Sequence, residues 1–505
     1  MSRHDTICAI STAAGTGAIA IIRLSGTESF QAVRHIFRHN GKALDENGIE
    51  PYHAYYGEIF DPVPDDKPMV DEVLVTFFKA PHSYTGEDSV EISCHGSEYV
   101  QQRILELLAI RGCRQAEAGE FSKRAFINDK LDLAQAEAVA DLIASQNEAE
   151  HRIAINQLKG GFSNELKQLR AQLVDITSLL ELELDFSEED VEFADRTKLA
   201  GLLDAALKHV GTLADSFHLG NAIKNGIPVA IVGDTNTGKS TLLNAILGEE
   251  RAIVSDIEGT TRDTIEETFT IDGMTYRFID TAGIRETSET IEKIGIERTF
   301  KKLTEADIVI GMLDGTKPVK KIFSAWKNLV NHVNLLQQKL IVMVNKSDLM
   351  DAATMFTLND DYIDYMKPVY EKNIERNGGY MTDDYCYSIT GCDLYDIQEL
   401  MTFSYMSAKN AEDVDNLKQS IRHRYTLMPK VDGNTTLVVN IRHFEALTHA
   451  KESLDKVRAG LDNKLSADLL AEDLRQALYH IGSITGEVTG SEVLNNIFGR
   501  FCIGK

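Results

Sequence analysis

The sequence predicts a chain of several domains, in which a mixed α/β domain is inserted into a helical domain and both follow an N-terminal α+β domain. Short β-type runs alternate with turns over residues 1–127, and helical periodicity with few breakers fills residues 128–221 and 416–505. Strand-like runs separated by helical patterns occupy residues 222–415. Two helical segments on either side of an α/β segment indicate one discontinuous helical domain, because the termini of an inserted domain often lie close together.

Composition and charge restrict the class of protein. The 505 residues carry a net charge of −26 with 43% hydrophobic residues, so sizeable cores can form, and any nucleic-acid partner must meet a local basic patch. Six cysteines lack C-x-x-C spacing, which favours a reducing compartment over a zinc site. No signal-type segment begins the chain and no apolar run approaches about 18 residues. We therefore expect a soluble, cytoplasmic protein without a membrane partner.

A few segments predict individual elements. Apolar runs at 18–24 and 72–78 are typical of buried strands, and residues 89–94 alternate with period two. Apolar residues at helical spacing recur late in the chain, at 444–461, 467–480 and 491–498. These patterns predict an α+β domain first and helices last.

A phosphate-binding loop is predicted at residues 233–240, which read Gly-Asp-Thr-Asn-Thr-Gly-Lys-Ser. The motif follows the apolar run 227–232 and precedes a helical pattern at 241–247, which is the strand–loop–helix context that it requires. Successive backbone N–H groups and a helix N-terminus would hold phosphate oxygens. We expect Lys239 to neutralise the β- and γ-phosphates and Ser240 to bind Mg²⁺.

Three further motifs indicate which nucleotide binds. Asp-Thr-Ala-Gly at 280–283 follows a strand-like run, so its carboxylate would lie near the magnesium ion. Asn-Lys-Ser-Asp at 345–348 follows another such run, and the carboxylate of Asp348 would accept from guanine N1–H and the exocyclic amine, which adenine cannot supply. Ser-Ala-Lys at 407–409 would support the base from the next loop. The order of the motifs predicts a Ras-like P-loop GTPase domain.

The catalytic groups are less certain from the residues alone. Thr261, in a segment typical of switch I, is the candidate second hydroxyl ligand for Mg²⁺; an ordinary surface turn is the alternative. Ile284 occupies the position at which Ras-type enzymes carry a water-orienting glutamine. Glu292 could orient water instead, although an exposed carboxylate at a helix start is the more common occurrence. Charge on the phosphates requires an arginine finger or a monovalent cation, for which Asn236 offers an amide oxygen and residues 255–260 offer carbonyls.

Residues 350–400 separate the two base-reading motifs by more than a short connection. The segment is rich in Asp and Tyr, and we interpret it as an insertion on the surface of the GTPase domain. Because of it, residues 388–391 are a weaker competitor for the base-supporting loop. Cys386 and Cys392 within it are expected to be free thiols.

Several stretches resemble the MnmE (TrmE) family of tRNA-modification GTPases. They are Gly-Thr-Thr-Arg-Asp at 259–263, residues 83–88, residues 119–137 and the C-terminal Phe-Cys-Ile-Gly-Lys at 501–505. The resemblance covers nearly the whole chain. It implies a potassium-activated GTP hydrolase that, with an FAD-dependent MnmG-type partner in a heterotetramer, installs an aminomethyl or carboxymethylaminomethyl group at C5 of the wobble uridine of certain tRNAs. It also implies a homodimer, formed by N-terminal domains of a folate-binding type that take the one-carbon unit from 5-formyl- or methylene-tetrahydrofolate.

The resemblance also implies roles for individual residues. It makes Glu292 the water-orienting catalytic residue and Cys502 a possible reactive thiol, for which burial as a small side chain is an equal alternative. The implied K⁺ ligands are Asn236, Ser255, Ile257 and Thr260, the Mg²⁺ ligands are Ser240 and Thr261, and the folate contacts are Arg23, Glu87, Lys130 and Lys505. The implied GTP contacts are Asn236, Thr237, Gly238, Lys239, Ser240, Thr241, Ser255, Asp256, Ile257, Glu258, Gly259, Thr260, Thr261, Asp280, Thr281, Ala282, Gly283, Asn345, Lys346, Asp348, Ser407, Ala408 and Lys409.

Two other functions remain open. A GTPase assembly factor for ribosomal RNA would carry the same nucleotide motifs, but such factors usually append a compact basic RNA-binding module, whereas this tail is helical and not basic. A folate-dependent one-carbon transferase with a regulatory GTPase domain is the weaker alternative.

Overall fold

The described parts of the chain contain an eight-stranded sheet, a six-stranded sheet, a small three-stranded sheet and a set of long helices. The computed structural model describes residues 5–45, 48–61, 68–185, 196–249, 267–271, 274–279, 303, 305–336, 338–377, 379–381, 385–388, 394–396, 403–426, 436–488, 490–499, 501 and 504. Contacts divide the chain into a first unit of residues 1–145, 151–216 and 436–505 and a second unit of residues 146–150 and 217–435.

The first unit begins with a mixed sheet in the order β4-β3-β5-β6-β7-β2-β1-β8. Its strands are β1 (Ile7–Ile10), β2 (Gly17–Ser25), β3 (Phe37–His39), β4 (Lys42–Ala43), β5 (Ala54–Phe60), β6 (Met69–Phe78), β7 (Ser89–Gly96) and β8 (Arg114–Gln115). The helices are α1 (Ser29–Arg34), α2 (Glu98–Ile110) and α3 (Glu120–Ile127). Alternate strand residues such as Ile22, Val75 and Ile92 share one core with Ile104 and Leu108 of α2. This arrangement confirms the predicted α+β domain.

Helices from two distant parts of the sequence complete the first unit. The earlier segment forms α4 (Leu133–Ala144), α5 (Glu148–Leu158), α6 (Gly161–Asp185) and α7 (Arg196–Asp215), with the first three residues of α5 assigned to the second unit. The later segment forms three helices that pack against these. A capping box begins α4, because Asp132 Oδ1 accepts from Gln135 N at 2.9 Å and Gln135 Oε1 accepts from Asp132 N at 3.0 Å.

The second unit contains a six-stranded sheet in the order β10-β11-β9-β12-β13-β17. It is built from α8 (Phe217–Asn225), β9 (Ile227–Val232), α9 (Lys239–Glu249), β10 (Glu267–Ile271), β11 (Met274–Phe278), β12 (Ile308–Asp314), α10 (Val319–His332), β13 (Lys339–Asn345), α11 (Ala352–Arg376), β14 (Gly379–Met381), β15 (Tyr385–Ser388), β16 (Leu394–Asp396), β17 (Phe403–Met406) and α12 (Ala411–Thr426). The pair β10 and β11 is antiparallel, whereas β11, β9, β12, β13 and β17 are mutually parallel. Helices cover both faces, with α10 and α11 on one core and α9 and α12 on the other. The inserted domain is therefore a Ras-like α/β fold, as predicted.

The later helical segment returns to the first unit with α13 (Ile441–Asp462), α14 (Ala467–Thr485) and α15 (Ser491–Phe498). Helix α13 packs on α14 and α7, and α14 also packs on α6, so the two segments form one helical domain. None of the helices in the described ranges combines the length and apolar character that crossing a membrane would require.

Helix α11 corrects the interpretation of residues 350–400 as a surface insertion. Leu358, Met366, Tyr370 and Ile374 are fully buried in the core that α10 forms with the sheet. The Asp- and Tyr-rich composition conceals these apolar positions, which recur every four or eight residues on one helix face. Among the described residues of this segment, the three-stranded antiparallel sheet β14–β16 is separate from the main sheet and is an addition to it.

Helix α12 places the end of the inserted domain later than the predicted residue 415. Its Val414, Leu417 and Ile421 are buried in the same core as Ile231 of β9 and Ile310 of β12. The helix therefore belongs to the second unit, which ends at residue 435. The helical pattern of the sequence is similar before and after residue 435. Periodicity therefore could not show that α12 packs in the second unit whereas the later helices pack in the first.

A buried ion cluster joins the two segments of the helical domain. Glu137 of α4 accepts from Arg442 Nε at 3.0 Å and from Arg442 NH2 at 2.8 Å, and its Oε2 lies 2.6 Å from His443 Nε2. Arg442 also donates to the carbonyl oxygens of Ser483 and Ile484 in α14. Although burial alone would raise the pKa of Glu137, His443 and Arg442 hold it at about 2.

We expect Glu137→Gln to destabilise the first unit by about 3–5 kcal/mol at neutral pH, because removing one partner leaves buried charge uncompensated. The folded-state pKa of Glu137 lies below its ordinary 4.5, so its contribution is present above pH 4.5 and is lost as the pH falls toward 2. Urea unfolding followed by circular dichroism measures the free energy of unfolding. The difference in this free energy between wild type and variant should become smaller as the pH falls below 4.5. Glu445→Gln, at an exposed position of α13, is the matched control; equal effects of the two changes would contradict the assignment.

Candidate nucleotide-binding site

The phosphate-loop sequence lies between β9, which is buried along its whole length, and the first turn of α9. Gly238 has φ +99°, and a Cβ there would lie 2.3 Å from Nδ2 of Asn345. A Cβ on Gly233 would lie 2.3 Å from the carbonyl oxygen of Met312 in β12. Both glycines are required because the loop passes against neighbouring strand ends without room for a side chain.

Lys239 is held by the loop itself. Its Nζ donates to the carbonyl oxygens of Gly233 and Asp234, both at 2.8 Å. Thr237 closes the same turn, since its Oγ1 donates to the Asp234 carbonyl at 2.9 Å. Burial lowers the pKa of Lys239, and the charge of Asp234 opposes that shift. The loop carbonyls therefore stabilise an ammonium group that burial alone would disfavour.

Asn345 connects the phosphate loop to the loop after β17. The residue is 3% exposed; Nδ2 donates to the Thr237 carbonyl at 2.7 Å, and Oδ1 accepts from Ala408 N at 2.9 Å. Parallel pairing of β13 with β17 sets Asn345 opposite Met406, one residue before the second loop begins. The Asn345 amide thus links Thr237 to Ala408, which are 171 residues apart in the sequence.

The two base-reading motifs lie at the same sheet edge. Lys346 adopts the left-handed conformation with φ +65°, and Asp348 follows in a 3₁₀ turn, Ser347–Leu349. Ser407 N donates to Asp413 Oδ2 at 2.7 Å, which anchors the loop at 407–409 to the start of α12. The structure therefore brings together the segments 236–241, 345–348 and 407–409. Ser388, the described part of the competing loop, ends β15 in the separate three-stranded sheet.

Three of the residues predicted to bind folate lie in or beside the loop at 83–88 of the first unit. Glu87 Oε2 accepts from Ser25 Oγ at 2.7 Å and from Arg124 NH1 at 3.1 Å. The Arg23 guanidinium pairs with Glu91 at 2.8 Å and lies 5.4 Å from the centre of the Tyr84 ring. Lys130 Nζ donates to the Pro81 carbonyl at 3.1 Å.

Comparison with known proteins identifies the family of the chain. Residues 133–502 match the family model of the MnmE helical domain, and residues 6–130 match the GTP-binding protein TrmE N-terminus. The chain is 47% identical over 504 residues to the tRNA modification GTPase MnmE of Bacteroides fragilis, covering 99% of this chain and 100% of that protein. It is 45% identical over 510 residues to the same-named protein of Flavobacterium johnsoniae, covering 100% of both. The chain belongs to the MnmE family of tRNA modification GTPases.

Membership of the MnmE family confirms the predicted resemblance and the predicted enzyme class, a GTP hydrolase in tRNA modification. Among solved structures, the chain is similar to the FeoB G-domain from Methanococcus jannaschii at 19% identity, covering 40% of this chain and 97% of that one with a TM-score of 0.23. That score is too low to bear on the fold, for which the strand order of the second unit is the evidence.

Many of the residues that the MnmE resemblance implicates lie outside the described ranges. They include the catalytic candidate Glu292, the position Ile284, the thiol Cys502 and the folate candidate Lys505. The others are the switch residues Ser255, Asp256, Ile257, Glu258, Gly259, Thr260 and Thr261, and the residues Asp280, Thr281, Ala282 and Gly283.

Two side chains near these MnmE-family motifs were not predicted from the sequence. Arg124 bridges Glu87 to Asp5 and Glu120, with its NH2 2.8 Å from Asp5 Oδ1 and 3.2 Å from Glu120 Oε1. Asp314 ends β12 and pairs with Lys346 at 2.8 Å. The sequence indicates a site position for Asp314 in one way. It lies at the carboxyl end of a parallel strand, and such ends share an edge of the sheet.

We expect Gly238→Ala to weaken guanine-nucleotide binding by about tenfold or more, since strain of order 1–3 kcal/mol would fall on the loop and on Asn345. Titration of a fluorescent GDP analogue measures the effect. Gly248→Ala in α9 is the matched control, because a Cβ there meets no atom within 4 Å. An unchanged Kd for Gly238→Ala would show that the close contact with Asn345 is unimportant.

Proposed function

We propose that the chain is a potassium-activated GTP hydrolase that acts on tRNA with an FAD-dependent partner. In this proposal it installs a (carboxymethyl)aminomethyl group at C5 of the wobble uridine of certain tRNAs and takes the carbon from a folate. The observation that carries the nucleotide part is the Asn345 amide, which joins the phosphate loop to the loop at 407–409. The tRNA part rests on relatives that are named tRNA modification GTPases.

The described residues fit the proposed cations. Asn236 lies in the phosphate loop with φ +62° and an exposed side chain, so its amide oxygen is accessible to a hard cation. Ser240 follows Lys239 in the first turn of α9 and offers a hydroxyl oxygen, which suits Mg²⁺. When bound, K⁺ would supply positive charge beside the phosphates, the role that an arginine finger fills elsewhere. Asn236 and Ser240 would hold the ions, and Glu292 would orient the attacking water.

The cluster around Glu87 supports the proposed folate site. Both bonds that the described residues donate to the Glu87 carboxylate fall on Oε2, so Oε1 can accept from the amino-pyrimidine edge of a pterin. Arg23 and Lys130 supply positive charge for the carboxylates of a glutamate tail. Arg124, which is 12% exposed, balances the charge of Glu87 beneath this surface.

The outer face of the eight-stranded sheet supports the proposed homodimer. Tyr56 pairs with Leu74, and the same row continues through Ser93 to Ile21. Tyr56 is 58% exposed and Leu74 is 47% exposed, and Ile19 nearby on β2 is 67% exposed. Apolar rows of this kind on a sheet face are typical of protein interfaces.

We expect GTP hydrolysis to be at least about tenfold faster in potassium chloride than in sodium chloride, which corresponds to a lowering of the barrier by roughly 1.4 kcal/mol. Phosphate release under single-turnover conditions measures the rate. Asn236→Ala should remove the dependence on potassium while GDP still binds, whereas Asn244→Ala, at an exposed position of α9, should retain it. Equal rates in the two salts would rule out the cation site.

Nucleoside mass spectrometry of tRNA tests the complete proposal. A deletion strain should lack the wobble-uridine modification, and the wild-type gene should restore it. Glu292→Ala should bind GTP but restore neither hydrolysis nor the modification, since water would no longer be oriented; Glu289→Ala is the matched control. Normal tRNA together with disturbed ribosome profiles in the deletion strain would favour the ribosomal assembly factor instead.

A further inference from the structure

The turn that follows β12 holds an almost buried carboxylate. Asp314 Oδ1 accepts from Thr316 N at 3.0 Å and from Thr316 Oγ1 at 2.7 Å, while Oδ2 accepts from Lys346 Nζ at 2.8 Å. The Asp314 side chain is 9% exposed and that of Lys346 is 30% exposed. One oxygen is therefore fixed by the turn, and the other is directed at the lysine of the guanine motif.

Lys346 has a backbone conformation that is uncommon for a residue other than glycine. Its φ of +65° and ψ of 36° lie in the left-handed region, which residues other than glycine rarely adopt. The 3₁₀ turn that carries Asp348 starts at the next residue, and Leu349 N donates to the Lys346 carbonyl at 2.9 Å. The direction in which the chain enters Asp348 therefore depends on the conformation of Lys346.

The same turn contacts the guanine motif at a second point. Gly315 N donates to the Asn345 carbonyl at 2.9 Å. A Cβ on Gly315 would lie 2.9 Å from that oxygen and 2.3 Å from Sδ of Met350. Residues 314–316 thus pack closely along the backbone of 345–350, and the ion pair is one part of a fitted contact.

The Asp314 carboxylate is ionised at neutral pH. Burial alone would raise the pKa of Asp314, but the hydrogen bonds from Lys346 and Thr316 hold it below its ordinary value of 3.8. A partly buried, bonded pair of this kind couples its two residues more strongly than an exposed pair does.

We infer that Asp314 is a positioning residue for guanine recognition, which holds Lys346 in its left-handed conformation and thereby directs the Asp348 carboxylate at the base. The inference rests on the proposed GTP site. Asp314, at the end of β12, would then affect purine selectivity through Lys346, without contacting the nucleotide itself. Selectivity should follow, because a carboxylate that is slightly misdirected loses both of its bonds to guanine.

The test compares GDP with IDP, whose base lacks the exocyclic amine. In wild type, Asp348 accepts two bonds from guanine but one from hypoxanthine, so GDP should bind more tightly. Asp314→Asn should raise the Kd for GDP about tenfold, or 1.4 kcal/mol, and move the ratio of the two Kd values toward one. Lys346→Met should have a similar effect, and the double variant should be no weaker than Lys346→Met alone. Asp360→Asn, at an exposed position of α11, removes the same charge as a control.

Each outcome is decisive. An unchanged Kd for GDP, an equal rise for GDP and IDP, or additive effects in the double variant would overturn the inference, because a merely structural ion pair loosens the site for every base alike. If Asp314→Asn fails to fold, Thr316→Val, which removes the hydroxyl bond to Asp314 Oδ1, should move the same ratio toward one, and an unchanged ratio would overturn the inference. Wild-type protein that does not prefer GDP to ADP would contradict the proposed GTP site itself, which separates the two failures.

Discussion

The buried amide of Asn345 is the contact on which the nucleotide site depends. It donates to the carbonyl of Thr237 and accepts from the amide of Ala408, so the phosphate loop and the base-side loop share one rigid link. This link is possible because Gly238 leaves no side chain between the loop and the amide. It is also possible because β9, β12, β13 and β17 run parallel and end at a common edge. The strand order therefore sets the distance between the groups that meet the two ends of a nucleotide.

Motifs with strict backbone requirements could be predicted from the sequence. The phosphate loop needs its glycines and its lysine at fixed spacing, and the structure shows the close contacts that impose this spacing. The parallel sheet and the discontinuous helical domain also follow from periodicity, since both depend on which faces are apolar. The roles of the described site residues toward ligands remain predictions, whereas their arrangement at one sheet edge is a structural finding.

Other features depend on tertiary partners that composition does not reveal. Helix α11 reads as an acidic surface segment because its buried positions Leu358, Met366, Tyr370 and Ile374 are widely spaced among polar residues. Helix α12 belongs to the second unit, but the helical pattern continues from it into the helices of the first unit. The predicted domain boundary at residue 415 therefore fell inside α12. Asp314 is one of many acidic residues in the sequence, and its partner Lys346 is 32 residues away. Such pairs become visible only once the register of β12 against β13 is known.

Several charged side chains at the predicted sites of the two units already have bonding partners within the protein. Lys239 is held by loop carbonyls, Lys346 by Asp314, and Glu87 by Arg124 and Ser25. A phosphate group at Lys239 would replace the loop carbonyls, so the net free energy of the new contact is smaller than its gross strength. Exchange of this kind suits a reversible switch, because the ammonium group has a partner whether or not the phosphate is bound. The sheet edge, the Asn345 link and the Asp314–Lys346 pair are then the fixed elements of the second unit, and Lys239 is the side chain that we expect to change partners.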